Sequence, residues 1–121
     1  MTPAERLLDN LIDIEDAARE AIGFLDGIGF EEFESDLLRQ RAVAMTFVLI
    51  ATAAARIQTL FPDIGSEQPE IPWAKMRGLR NLVFHQYDRL EWRIIWDTVQ
   101  VDLPRLIRQI EQLRHPHVQG E

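Results

Sequence analysis

The chain has 121 residues, 46% of them apolar, with three Trp, six Phe and a net charge of −7. That length gives one domain, 1–121, with room for a single sizeable core, and that composition excludes a disordered chain. The absence of cysteine excludes disulfides, thiolate zinc sites and a cysteine nucleophile, and it fits a cytoplasmic location.

The first helix starts at Thr2-Pro3-Ala4-Glu5, with Thr at the N-cap, Pro at the first helical position and Glu at the third. Leu7, Leu8, Leu11, Ile14, Ala18, Ala21, Ile22 and Leu25 then recur at helical spacing, and Gly27 and Gly29 end the run. Residues 30–33 read as a short turn or half-helix, with Ser35 or Asp36 available to cap the next element. The second helix spans 36–60. Its centre, 42–55, is apolar almost all round, which predicts the most buried helix of the fold. Pro62, Gly65, Pro69 and Pro72 mark 61–72 as the one substantial loop. A third helix covers 73–85. The last covers 90–113, kinked or restarted after Asp102 by Pro104, and 114–121 reads as a frayed tail. The sum is an all-α fold, an antiparallel bundle of four to five helices.

No signal peptide is expected, because residues 1–10 carry Glu5, Arg6 and Asp9 instead of an apolar run. The stretch 42–55, interrupted by Thr46 and Thr52, reads as too short to span a bilayer, so no membrane partner is expected.

Charge is unevenly placed. Residues 1–72 hold five basic and fourteen acidic side chains, whereas 73–121 hold eight and six. An acidic chain repels phosphate, so a nucleic-acid site must be local, and this distribution puts it in the second half. That half contains Arg80-Asn81-Leu82-Val83-Phe84-His85-Gln86-Tyr87. A fixed cation, an imidazole and a phenol within two turns of helix suit phosphodiester chemistry. Arg80 would hold a phosphate and stabilise the charge that develops on it. His85 would take a proton from an RNA 2′-hydroxyl or return one to the leaving oxygen. Asn81, four residues before His85, shares its face and would orient it. Arg77 shares a face with Asn81 in turn. Arg80 and His85 lie about 140° apart around an ideal helix. One copy therefore makes a wide site, and two copies facing each other across a homodimer axis would close it. This chemistry calls for no metal and no cofactor, and its product is a cyclic phosphate. The same residue types also occur simply as surface or core-edge groups near a helix end.

Other candidates are weaker. His115-Pro116-His117 has two potential metal ligands, but in a frayed tail they read as idle. Glu31-Glu32-Phe33-Glu34 reads as a solvated turn. Trp73, Trp92 and Trp96 can stack bases, but their helical spacing reads as core, with Trp92 and Trp96 packed on the second or third helix. Gly23, Gly27 and Gly29 lack the spacing of a phosphate-binding loop.

The pattern Arg-x-x-x-x-His-x-Tyr at Arg80, His85 and Tyr87 resembles the signature of HepT toxins in the HEPN superfamily of ribonucleases. Glu70-Ile71-Pro72-Trp73, Met76-Arg77 and Arg80-Asn81 resemble the family's stretch before the motif. Trp96 and Asp102-Leu103-Pro104 resemble the helix after it, and Phe33 with Gln40-Arg41-Ala42-Val43 resemble the start of the second helix. The resemblance covers nearly the whole chain to Leu113. It implies a HEPN-like helical homodimer that cleaves RNA without metal, with Arg80 and His85 catalytic. It also implies a partner, a minimal nucleotidyltransferase antitoxin of the MntA type, that transfers AMP to Tyr87 and silences the toxin. AMP there would compete for Arg80 and fill the RNA site. One departure stands out: family members commonly carry Ile-Gly-Glu in the second helix, where this chain has Ile50-Ala51-Thr52. Two other readings therefore remain: a non-catalytic HEPN-type partner that binds a nucleotide or a nucleotidyltransferase, and a helical interaction module without chemistry.

Overall fold

The computed structural model describes residues 1–85 and 91–115, with His85 described by its backbone alone. Leu90, where the last helix is expected to begin, and most of the expected tail lie outside the described residues. Helices α1 (Pro3–Phe24), α2 (Phe30–Glu34), α3 (Leu37–Leu60), α4 (Ile64–Glu67) and α5 (Trp73–His85) are followed by α6 (Trp92–Asp97), a π-helical turn (Thr98–Asp102) and α7 (Leu103–Arg114). No strand occurs among the described residues, and the fold is the all-α bundle expected.

Local signals set the ends. Thr2 Oγ1 accepts the Glu5 backbone N–H at 3.1 Å and opens α1. Gly27, at φ 79°, takes the left-handed conformation that turns the chain away after α1. Of the two candidate caps for α3, Asp36 is the one used, with Oδ1 accepting the Arg39 N–H at 3.1 Å. The expected loop at 61–72 holds one turn of helix, α4, which buries Ile64. Pro104 does not break the last rod. It cannot donate to the carbonyl four residues back, and the chain answers by widening. Leu103 N–H bonds the Thr98 carbonyl five residues back, with helical dihedrals at Asp97, Thr98, Asp102 and Leu103.

Helix α3 lies between α1 and α5, and α1 lies between α3 and α7. Arg39 Nε donates to the Phe24 carbonyl at 2.8 Å, which ties the start of α3 to the end of α1 and makes the pair antiparallel. Glu15 accepts from Arg19 at 3.3 Å and from Arg114 at 2.6 Å, while Arg19 also reaches Glu111 at 3.2 Å. These bonds hold α7 antiparallel to α1. Phe47, Ile50, Ala54 and Ile57 of α3 are fully buried with Ile14 and Ala18 of α1.

Helix α3 differs from expectation in two ways. At 24 residues it is long and apolar enough to cross a membrane by length and composition, which 42–55 by itself was not, although half of its most apolar window is buried in the bundle. And it is not buried all round, since Leu38, Met45 and Leu49 stand exposed along one stripe.

The tryptophans are structural. Trp73 is buried, and its Nε1 donates to the Gln68 carbonyl at 3.1 Å. Trp92 and Trp96 pack on the half-helix α2, not on the longer helices expected. Phe33 meets Trp92 edge-on at 5.7 Å and Trp96 at 5.8 Å, and Phe30 meets Trp96 at 5.9 Å. Gln40, buried in α3, donates to the Phe33 and Glu34 carbonyls at 3.0 and 2.8 Å and so satisfies the end of α2.

Phe33 is fully buried against two indoles, so Phe33→Ala should cost about 3–5 kcal/mol in chemical denaturation, with a red shift of tryptophan emission. A second expectation concerns pH. The Arg39 backbone N–H, then the Arg39 guanidinium, hold the Asp36 carboxyl below its usual 3.8. A depressed acid stabilises the fold at pH above its unfolded value, and that stability is lost as pH falls through the lowered folded value. Asp36→Asn keeps a capping oxygen without the charge. Its helical circular dichroism should show lower stability at neutral pH and a smaller further loss on acidification below about pH 4.

Candidate functional site

Helix α5 divides its residues cleanly. Trp73, Met76 and Val83 face the core, while Arg77, Arg80, Asn81 and Phe84 are exposed. Arg77 and Arg80, three apart, look across a groove of about 580 Å³ at α3. The wall opposite is made of Ala51, Thr52, Ala55 and Arg56, and the end is closed by Arg6 and Asn10 of α1. Small side chains on α3 leave the space open. The antiparallel packing of α1 on α3 brings the first turns of α1 beside the last turns of α3.

The electrostatics are one-sided. Arg6, Arg56, Arg77 and Arg80 line the groove and, among the described residues, no Asp or Glu does. Among the described residues none of these four is in an ion pair, whereas Arg19, Arg39 and Arg114 all are. Guanidinium groups stay charged at every relevant pH, so the groove keeps a positive field in a chain of net charge −7. Arg80 also lies over the exposed Phe84 ring, 5.6 Å from its centroid. The hydroxyls in the groove are already engaged: Thr52 donates to the Val48 carbonyl at 2.8 Å and Thr59 to the Ala55 carbonyl at 3.0 Å. Asn10 spends one amide hydrogen on the Arg6 carbonyl at 2.8 Å. The arginines are therefore the principal anion donors.

A second cavity, of about 300 Å³, lies on the other side of α5 against the π-helical turn and α7. Its lining is largely apolar, and its cations Lys75 and Arg105 are balanced by Glu70 and Asp102. It has no comparable pull on an anion.

Of the residues expected at the site, Arg77 and Arg80 are brought together. Asn81 is exposed but does not line the groove. His85 closes α5 by its backbone, and its side chain and Tyr87 lie outside the described residues, as do Pro116 and His117 of the tail. No group of three potential metal ligands occurs among the described residues. The sequence places a nucleic-acid site in the second half, whereas this groove also takes Arg6 and Arg56 from the first. One signal for Arg56 was in the sequence: it is the single charged residue between Ala42 and Leu60. Nothing in the sequence pairs it with Arg6.

Residues 14–113 match the family described as ribonuclease HepT-like. The chain belongs to that family. It is 35% identical to "Probable ribonuclease HepT" of Thermococcus cleftensis over 106 residues, which covers 88% of this chain and 94% of that one. It is 30% identical to "Putative RNase MJ1380" of Methanocaldococcus jannaschii over 101 residues, 84% of this chain and 90% of the relative. A second protein of that organism, "Putative RNase MJ0127", is 32% identical over 103 residues, covering 85% and 83%. No solved structure gives a significant match. Membership in the ribonuclease HepT-like family gives the basic groove its context. Thr52, of the Ile50-Ala51-Thr52 stretch, lies on the groove wall, and among the described residues no carboxylate joins the four arginines there.

Arg77 and Arg80 are exposed and bonded to no carboxylate among the described residues, so Arg77→Ala and Arg80→Ala should each change unfolding free energy by no more than about 0.5 kcal/mol. Thermal melts of both variants against the native chain check this and separate lost function from lost fold.

Proposed function

We propose that this chain is a metal-independent endoribonuclease, the toxin of a toxin–antitoxin pair. The observation that carries the reading is the placement of the motif's Arg80 in a groove with Arg77 and, among the described residues, no carboxylate. In the reaction His85 removes the proton of a ribose 2′-hydroxyl. The 2′-oxygen attacks the adjacent phosphorus, the 5′-oxygen of the next nucleotide leaves and takes up a proton, and a 2′,3′-cyclic phosphate remains. Arg80 binds the non-bridging oxygens and gains strength as charge builds on them. Asn81 orients His85. Guanidinium and imidazole thus supply the two services, charge stabilisation and proton transfer, for which other nucleases use a metal ion.

Two partners complete the reading. A second copy of the chain packs on the exposed stripe Leu38, Met45 and Leu49 of α3, which runs directly into the groove at Thr52 and Arg56. The homodimer thereby sets two Arg80–His85 pairs around one cleft. A minimal nucleotidyltransferase antitoxin of the MntA type transfers AMP to Tyr87 and blocks the site with a phosphate and a base. Thr52, on the groove wall where the resemblance would call for an acid, favours one competing reading: a member that binds nucleotide or nucleotidyltransferase and does not cleave.

The test is incubation of the purified protein with labelled RNA in EDTA. The native chain should yield cyclic-phosphate ends. His85→Ala should lose about 10²–10⁴-fold in rate and Arg80→Ala about 10²–10³-fold. Intact RNA in every lane, from a protein that carries no AMP on Tyr87 by mass spectrometry, decides for the non-catalytic member. Expression in cells should arrest growth, and His85→Ala should relieve the arrest. Co-expression with the nucleotidyltransferase should add AMP to Tyr87, and a Tyr87→Phe chain should escape it.

A further inference from the structure

We infer that Arg6, Arg56 and Arg77 extend the Arg80 site into a track for consecutive phosphates of single-stranded RNA, with Phe84 as a stacking platform for a base at its edge. The inference rests on the ribonuclease reading and assigns to that activity residues on two helices, α1 and α3, that the motif does not contain.

Two observations and two physical arguments converge on it. Arginines from three helices line one groove of about 580 Å³, without a carboxylate in the lining and without an ion pair among the described residues. The fold spends its acids elsewhere: Glu15 and Glu111 bind Arg19 and Arg114 at the α1–α7 seam, and Asp36 binds Arg39. Like charges gathered in a cleft repel one another, so the arrangement costs stability unless an anion neutralises it. One phosphate is saturated by one or two guanidinium forks, and four forks therefore match a chain of phosphates better than a single monoester.

The remaining chemistry says what kind of polyanion fits. Ala51 and Ala55 give the groove wall no hydrogen-bonding side chain, and the Thr52 and Thr59 hydroxyls are committed to backbone carbonyls. Such a surface follows a backbone and reads few bases. Phe84 is 58% exposed directly beside Arg80, with the guanidinium carbon 5.6 Å from its ring centre. An aromatic face next to a cationic track binds single strands, whose bases are free to stack, and offers nothing to a duplex, whose bases are stacked already. An acidic peptide would use the arginines but would have no need of the ring.

The probe is a fluorescently labelled, fully 2′-O-methylated single-stranded oligonucleotide, which cannot be cleaved through its 2′-oxygen. Its binding to the full chain is followed by anisotropy across a salt series. Arg6→Ala/Arg56→Ala should weaken binding and flatten the plot of log affinity against log salt by about 1.4, roughly 0.7 for each phosphate that is no longer neutralised. Thr52→Glu, which puts a carboxylate on the groove wall, should weaken binding without removing any arginine, and it serves as well should the double variant not fold. Phe84→Leu should weaken binding with the salt slope unchanged, and Phe84→Trp should restore it. A blunt hairpin duplex of the same charge should bind more weakly than the single strand.

An unchanged slope in Arg6→Ala/Arg56→Ala, or full affinity in Thr52→Glu, overturns the track. Polyglutamate that competes as well as the oligonucleotide, together with a silent Phe84→Leu, overturns the assignment to RNA. The two levels of the reading fail separately. A chain that binds the inert oligonucleotide through these residues but never cuts RNA keeps the track and loses the nuclease. A chain that cuts RNA with KM untouched by Arg6→Ala/Arg56→Ala keeps the nuclease and loses the track.

Discussion

The burial of α3 between α1 and α5 is the constraint on which the rest of the molecule depends. Phe47, Ile50, Ala54 and Ile57 have no exposure at all, and α1 and α5 are laid against them from the two sides. Removing those side chains from water is the main driving force available to a chain of this size. The same packing sets the groove. The antiparallel α1 can come beside the end of α3 only with its own first turns, which carry Arg6 and Asn10, while α5 can bury Met76 and Val83 only by turning Arg77 and Arg80 outward. The groove is a by-product of where the core had to go. Its walls are the outer faces of helices whose inner faces are fully committed.

Charge is partitioned by the same geometry. An acidic chain has carboxylates to spare, yet the described acids that pair with arginine do so at structural seams and none enters the groove. Glu15, almost buried, gathers Arg19 and Arg114 and pins the last helix to the first, where the loss of one partner would strand a charge. At the groove the logic is reversed. Four arginines share it with no ion pair among the described residues, an arrangement that costs stability through like-charge repulsion.

The second half of the bundle shows how local conflicts are absorbed. Pro104 would break a regular α-helix. The π-helical turn from Thr98 to Asp102 carries the chain past it, so Trp92 and Trp96 stay on one rod with the residues of α7 that bury against α1. The indoles can then close over Phe33 and Phe30 while Leu106 and Ile110 fill the core. A break after Asp102 would have uncoupled those two tasks.

Much of this was legible from one dimension. Helical periodicity, the Thr2 and Asp36 caps and the glycines after α1 determine where the long helices start and stop, because those signals act within a few residues. The motif at Arg80, His85 and Tyr87 likewise lies within two turns, and it identified the family by resemblance. What lay beyond the sequence was whatever depends on two elements meeting. The seat of Trp92 and Trp96 on the half-helix α2, the one-turn α4 within the expected loop, and the exposed stripe Leu38, Met45 and Leu49 on the most apolar helix were decided by tertiary packing. So was the groove. Arg6 and Arg56 are fifty residues apart along the chain and ordinary there, and only the antiparallel packing of α1 on α3 sets them beside Arg77 and Arg80. The sequence alone determined which residues form the motif; the fold decided which cations share a space, because an electrostatic field is summed over distance in three dimensions and not over separation along the chain.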